Sequence, residues 1–282
     1  MIYEITHLTR YSYGAIVELT TGVLRLAPRS GDGQEVQRFS ILTDPVSQPL
    51  TERIDPFGNR VTSLRIEKPH RQLSITASSR VRVNRTPPPT RSPAWETVVA
   101  EAIAMTSLDA DCPAIALYPS RRVALFDEAT AYAKQSFGPH RPIFDAASEL
   151  ARRIRSDFTY DPEATEVNTP AAEAFDRRRG VCQDFAHFMI ACLRSLGLAA
   201  RYVSGYLTRG EWIGSQASHA WVSVFFPGLG WLDLDPTNDL LVSGGHVTLA
   251  WGRDYSDVAP VNGVTIGGGR QSIHVSVGVV PE

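Results

Sequence analysis

The 282-residue chain has little of what would send a protein into a membrane, out of the cell or onto nucleic acid. It shows no uninterrupted run of about 18 apolar residues, the length a membrane-spanning helix needs. Its start, MIYEITHLTRYSYG, has no apolar signal core, so neither secretion nor a membrane span is expected. Cysteine is scarce: Cys112, Cys182 and Cys192 are the only three. Three thiols cannot all pair within one chain, which points to a reducing, cytoplasmic compartment. Net charge is −2 and the isoelectric point about 6.4, so no basic footprint for nucleic acid exists. The arginines at 177–179 read as a helix C-terminus answering its dipole. Structural zinc spacing and EF-hand patterns are both missing, and the glycines at 267–269 lack a phosphate-loop lysine. No metal or cofactor is expected.

An apolar content of 43% over this length supports two cores. HLTRYSY, GVLRLAP, VQRFSIL, GNRVTSLRI and LSITASSRVRV carry alternation or β-branched content, with turns at 30–33 and 55–59, so residues 1–85 read as an all-β, sandwich-like domain. TPPPTRSP at 86–93 is a polyproline-type spacer, and residues 94–282 form the second domain. There the period becomes helical over 95–105, 123–137 and 143–158. Another helix is expected over 170–178 with Thr169 as N-cap, followed by the helix that opens at Cys182. RYVSGYL, SHAWVSVFF, WLDLDPT and IHVSVGVV then read as strands. Helices followed by strands, without βαβ alternation, imply an α+β core on an antiparallel sheet.

The chemistry concentrates in RRRGVCQDFAHFM. Gly180 is suited to the left-handed conformation that stops a helix, and Phe185, Met189, Cys192, Leu193 and Leu196 form one stripe of the next. Cys182 thus opens a helix, where unpaired N–H groups and the positive dipole end favour a thiolate and offer donors to an oxyanion. Cys192, on the stripe, reads as core, and Cys112 has no assigned role. His187 lies about 140° around the helix from Cys182, the wrong direction for a base. His246 and His274 sit in no motif and read as ordinary hydrogen-bonding residues.

SHAWVSVFF puts His219, Trp221, Ser223 and Phe225 on one strand face, and WLDLDPT puts Trp231, Asp233 and Asp235 on one face. A loop of three or five residues between them sets Asp235 opposite Trp221 and one diagonal step from His219, with Asp233 a further pair away. Geometry therefore favours Asp235 as the carboxylate that orients the His219 imidazole.

GVCQDFAHFMIACLRSLGLAARYVSGY, SHAWVSVFFPGLGWLDLDPTND and GRDYSDVAP, in that order, resemble the core of bacterial transglutaminase-like cysteine enzymes over roughly 144–260. The first 85 or so residues are similar to the all-β domain that often precedes it. The resemblance implies a papain-like thiol fold with Cys182 as nucleophile, His219 as base and Asp235 as orienting carboxylate. It also implies acyl transfer or hydrolysis at a peptide or protein amide through a Cys182 thioester. Tyr160 and the Gln183 backbone are candidates for oxyanion donation. Trp221, Asp254, Tyr255 and Asp257 are candidates for the substrate side, Trp221 also being suited to plain aromatic packing. The rival from another class is a catalytically silent protein-interaction module with the same fold.

Overall fold

The computed structural model describes residues 1–86, 91–107 and 109–282. Residues 87–90, the middle of the expected polyproline spacer, lie outside the described residues. The chain opens with strands β1 (Ile2–Leu24), β2 (Gln34–Asp44), β3 (Thr51–Ile54), β4 (Arg60–Ile66) and β5 (His70–Val83). Helices α1 (Trp95–Ala104), α2 (Asp127–Lys134) and α3 (Ile143–Asp157) follow, then β6 (Thr159–Tyr160), α4 (Ala171–Arg177), β7 (Arg179–Gly180) and α5 (Cys182–Ser195). The remainder is β8 (Ala200–Leu207), β9 (His219–Phe226), β10 (Gly230–Asp235), β11 (Leu240–Leu241), β12 (His246–Gly252), α6 (Tyr255–Val258), β13 (Val261–Gly267) and β14 (Gln271–Pro281). No helix among the described residues is long and apolar enough to cross a membrane.

HLTRYSY and the Gly22–Leu24 start of GVLRLAP, expected as separate strands, belong to the one long β1. The pairing register shifts between Ser12 and Val17, but Gly14 and Ala15 still donate to the Arg270 and Gly268 carbonyls, so the chain never leaves the sheet. The first half of β1 lies between β5 and β14, and the second half between β4 and β13. The sandwich-like part is thus one hydrogen-bonded sheet whose two halves enclose Tyr13, Val17, Leu24, Leu64, Ile66, Leu73 and Ile75. The last two strands, expected with the core that follows the spacer, pair instead with β1. Local alternation makes a strand but carries no information about a partner some 250 residues away.

The second sheet runs β11-β10-β9-β8-β12, antiparallel throughout. Helix α5 packs on β8 and β9 and is buried on every side from Gln183 to Arg194, beyond the single apolar stripe that its sequence shows. Its polar exceptions are satisfied. Arg194, 2% exposed, donates to the carbonyls of Ala116, Ala200 and Arg253. Phe188 stacks on Phe175 with centroids 4.7 Å apart and meets Tyr132 and Phe158 at 5.2 Å. A ring as fully buried as Phe188 contributes about 3 kcal/mol of transfer free energy.

Three local expectations are corrected. Arg178, not Gly180, is left-handed at φ 52°, and Gly180 is extended in β7 beside Tyr160. Gly180 is needed for room, because an added Cβ would collide with the Asp184 side chain. Helix α2 starts only at Asp127, since Ser120 and Val123 exchange backbone hydrogen bonds that hold the preceding segment in a turn. Pro170 rather than Thr169 stands at the cap of α4, while the Thr169 hydroxyl accepts from the Glu166 N–H.

Candidate active site

The start of α5 is held by its own third residue. Asp184 accepts from the Val181 N–H at 2.8 Å and from the Thr165 hydroxyl at 2.6 Å, while burial raises its carboxyl against these two bonds. This fastens the turn that presents Cys182, which is half-buried. The Cys182 and Gln183 N–H groups have no acceptor among the described residues, so the helix end keeps two free donors beside the sulfur. The Gln183 side chain turns away, donating to the Val167 carbonyl.

The β9–β10 hairpin has the three-residue loop Pro227–Leu229, and it sets Trp231 opposite Phe225 and Asp233 opposite Ser223. Asp235 ends the strand one diagonal step from His219, and the carboxylate Oδ2 lies 2.9 Å from His219 Nε2. Both side chains are shut off from solvent. Asp235 is further fixed by the N–H groups of Thr237 and Asn238 on Oδ1, and by Asn238 Nδ2 at 2.9 Å on Oδ2. Burial opposes charge on both groups, but each answers the other. The carboxyl is held well below its usual range. For His219 burial pulls down, and the charges of Asp235 and Cys182 outweigh it, raising the imidazole to about 10. Its Nε2 is spent on Asp235. Nδ1 meets no partner within hydrogen-bond distance among the described residues and is the nitrogen left for Cys182, which raises the ring by its charge and, less, by side-chain hydrogen bonding.

Asp233 takes a different place. Its Oδ2 accepts from the Trp221 indole N–H at 3.1 Å. Trp221 itself is fully buried against Val203 and Trp251, which removes it from the substrate side. Asp254 leaves the substrate side too. It is 1% exposed and accepts from the N–H groups of Ser256 and Arg122, and against its burial the Ser120 hydroxyl and these two bonds hold its carboxyl low. Asp257 is paired with Arg253 at 2.9 Å. Tyr255 and Tyr160 stay near the sulfur: burial raises both hydroxyls and the charge of Cys182 adds to the effect, with Tyr160 reaching about 12. His187 is buried, pushed down to about 3 chiefly by desolvation, and accepts from the Tyr255 N–H at 3.2 Å. Its job is to hold Tyr255.

Three participants were not among the candidate site residues, His246 having read as an ordinary hydrogen-bonding residue. His246, on β12, brings Nε2 to 3.5 Å from Asp235 Oδ2, and its ring meets Trp221 edge-on at 5.3 Å. Asn238 stands three residues after Asp235 in DLDPTND. Besides Asp235 it holds the segment before β9, accepting from Ile213 N–H and donating to its carbonyl. Gly214 follows, at φ 88°, and its Cα lies so close to the imidazole that an added Cβ would sit 2.6 Å from His219 Nδ1. A histidine and an asparagine on or beside strands carry no periodic signal; the polar triplet Asp235, Thr237 and Asn238 after a strand was the available clue.

Two family descriptions match. Residues 3–82 fit the bacterial transglutaminase-like N-terminal region, and residues 130–236 fit the core of the transglutaminase-like superfamily. An uncharacterized protein of Mycobacterium tuberculosis is 38% identical over 300 residues, spanning 99% of this chain and 92% of its own. The chain belongs to the transglutaminase-like superfamily. A solved structure from Cytophaga hutchinsonii, provisionally named a cysteine protease, covers 100% of this transglutaminase-like chain and 91% of its own with a TM-score of 0.77 at 22% identity, so the fold is shared. The protein-glutamine gamma-glutamyltransferase of Pseudomonas aeruginosa is 31% identical over 131 residues, 40% of this chain and 20% of its own. The family match covers Cys182, His219 and Asp235, all within residues 130–236.

Proposed function

We propose that this transglutaminase-like protein is a thiol acyltransferase or hydrolase acting on a carboxamide or peptide bond through a thioester on Cys182. The observation that carries this reading is the His219 imidazole, buried, bonded through Nε2 to Asp235, with Nδ1 unpaired and the ring coupled to Cys182 at a helix N-terminus. A cationic imidazole there stabilises a thiolate, and the free N–H groups of Cys182 and Gln183 are positioned as oxyanion donors. The sulfur adds to the carbonyl carbon and the π electrons move to oxygen. Collapse breaks the C–N bond while Nδ1–H protonates the departing amine, leaving a thioester and a neutral imidazole. Water or a second amine then gives a proton to Nδ1 as it attacks, and the thiolate leaves. The partner implied is a peptide or protein amide. The glutamine-directed name of the Pseudomonas relative favours glutamine carboxamide as the first substrate to try.

The experiment is incubation with a glutamine-containing peptide, with and without a fluorescent primary amine, followed by acid quench and mass spectrometry. An acyl adduct on Cys182, with ammonia released, is the expected result, and Cys182→Ala should show neither while keeping the wild-type melting temperature. Iodoacetamide at neutral pH separates the interaction-module reading: Cys182 labelling far ahead of Cys112 and Cys192 supports catalysis, and equal, slow labelling opposes it.

A further inference from the structure

Far along the sheet from the cysteine, the β9–β10 loop, Arg29, Arg85 and Arg201 enclose a cavity of about 660 Å³ between the two sheets. Its construction is unusual for a space filled only with water. Trp251 carries a guanidinium over its ring twice, Arg29 at 3.4 Å and Arg201 at 3.7 Å, and Arg201 also lies 4.1 Å over Trp231. Two like charges are therefore stacked about one indole, and burial together with the charge of Arg201 lowers Arg29 to about 10. Arg201 is only 5% exposed.

The hydrogen-bond ledger of these side chains does not balance. Arg201 Nη1 reaches Asp111 at 2.9 Å, Arg29 Nη1 reaches Asn59 at 2.7 Å, and Arg85 Nη2 reaches Thr248 at 2.8 Å. The buried Nε atoms of all three arginines, and the indole nitrogen of Trp251, have no partner among the described residues. All four are donors. The carboxylates on the lining are Asp32, Asp111 and Asp233, equal in number to the arginines. Asp111 is already used by Arg201, and Asp233 by Trp221. The lining is thus neutral in charge but rich in donors, with the unmet nitrogens themselves buried behind its surface.

We propose that this cavity is a binding site for an anionic ligand, whose carboxylate or phosphate oxygens accept from Arg29, Arg85 and Arg201, separate from the cysteine site. Planar guanidiniums held on indoles are already oriented for oxyanion recognition, so little ordering remains to be done on binding. Phe226 and Leu229 on the same lining give the remainder of the ligand an apolar wall.

The test uses the intact protein, titrated with inorganic phosphate and, separately, with glutarate, each at ionic strength matched by sodium chloride. Trp231 and Trp251 report through their fluorescence, and melting temperature reports independently. Saturable binding of either probe beyond the chloride control is expected, with Arg85→Gln weakening it about tenfold, the factor for one lost charge-assisted hydrogen bond. A preference for phosphate points to a phosphorylated ligand and one for glutarate to a carboxylate. Arg201→Gln should abolish binding if it folds; should it not, the partly exposed Arg85 decides. Responses no larger than chloride, or an Arg85→Gln protein that folds and binds as tightly as the wild type, overturn the proposal. Because binding is read without turnover, its failure leaves the cysteine chemistry untouched.

Discussion

At the scale of single residues, the two aspartates of WLDLDPT separate cleanly. Asp235 gathers His219, His246, Asn238 and two backbone N–H groups, whereas Asp233 holds one indole. Asp235→Asn should lower turnover on the order of 10⁴-fold by disturbing the imidazole's charge and tautomer. Asp233→Asn can still accept from Trp221, so its turnover should stay within a few-fold of the wild type; a larger loss than in Asp235→Asn would reverse the two roles. The sign of the pH dependence also follows. His219 is raised from 6.5 to about 10, so the folded protein holds this proton more tightly than the unfolded chain. Its contribution to stability is complete below about pH 6.5 and disappears as pH rises through about 10. The depressed Asp235 contributes above about pH 3.8 and loses its effect in acid. Melting temperatures of wild type and His219→Gln should therefore converge between pH 6.5 and 10, and a constant gap would contradict the pairing. Cys192→Ala, a fully buried thiol, should cost about 1 kcal/mol in denaturant unfolding and leave turnover intact.

At the scale of elements, the two structures that make the site were legible because each is local. A run of apolar residues at helical spacing announced α5, and a short loop with strict alternation gave the β9–β10 register. Less legible was whatever depended on steric fit or on distant partners. Gly180 looked like a helix stop and is instead a clearance for Asp184, a distinction that exists only once α5 is in place. His246 reaches Asp235 from β12, a strand whose neighbour is β8, so no short window of sequence contains the contact. The segment between β8 and β9 illustrates a further consequence. Gly214 combines a positive φ with close approach to the His219 ring, so Gly214→Ala introduces strain and a clash together. The expected outcome is a displaced 209–218 segment and at least tenfold slower turnover with little change in melting temperature, since Asn238 and Ile213 hold the segment's other side. Wild-type kinetics in that variant would mean the segment moves aside freely.

At the scale of the whole molecule, the two sheets are tied by buried side-chain bonds. Asn59 donates to the Trp251 carbonyl at 2.9 Å and accepts from its N–H at 3.0 Å, and Gln34 brackets Thr248 in the same manner at 2.8 Å each way. The N-terminal sheet is therefore a wall of the molecule that carries the cysteine site, and not an appendage. Removing residues 261–282 strips β1 of two partners along nearly its whole length. Such a truncation should aggregate or melt far below the full chain, with Cys182 chemistry lost as well; a stable, active truncation would show that the sheets fold independently. The same pairing sets a timetable for synthesis. Tyr3 lies opposite Pro281, so this part of β1 leaves the ribosome long before the partner that encloses it is made. Until then β1 keeps an unpaired edge of alternating apolar residues, and the nascent protein needs either a chaperone or rapid completion of the chain to avoid pairing with a neighbour's β1.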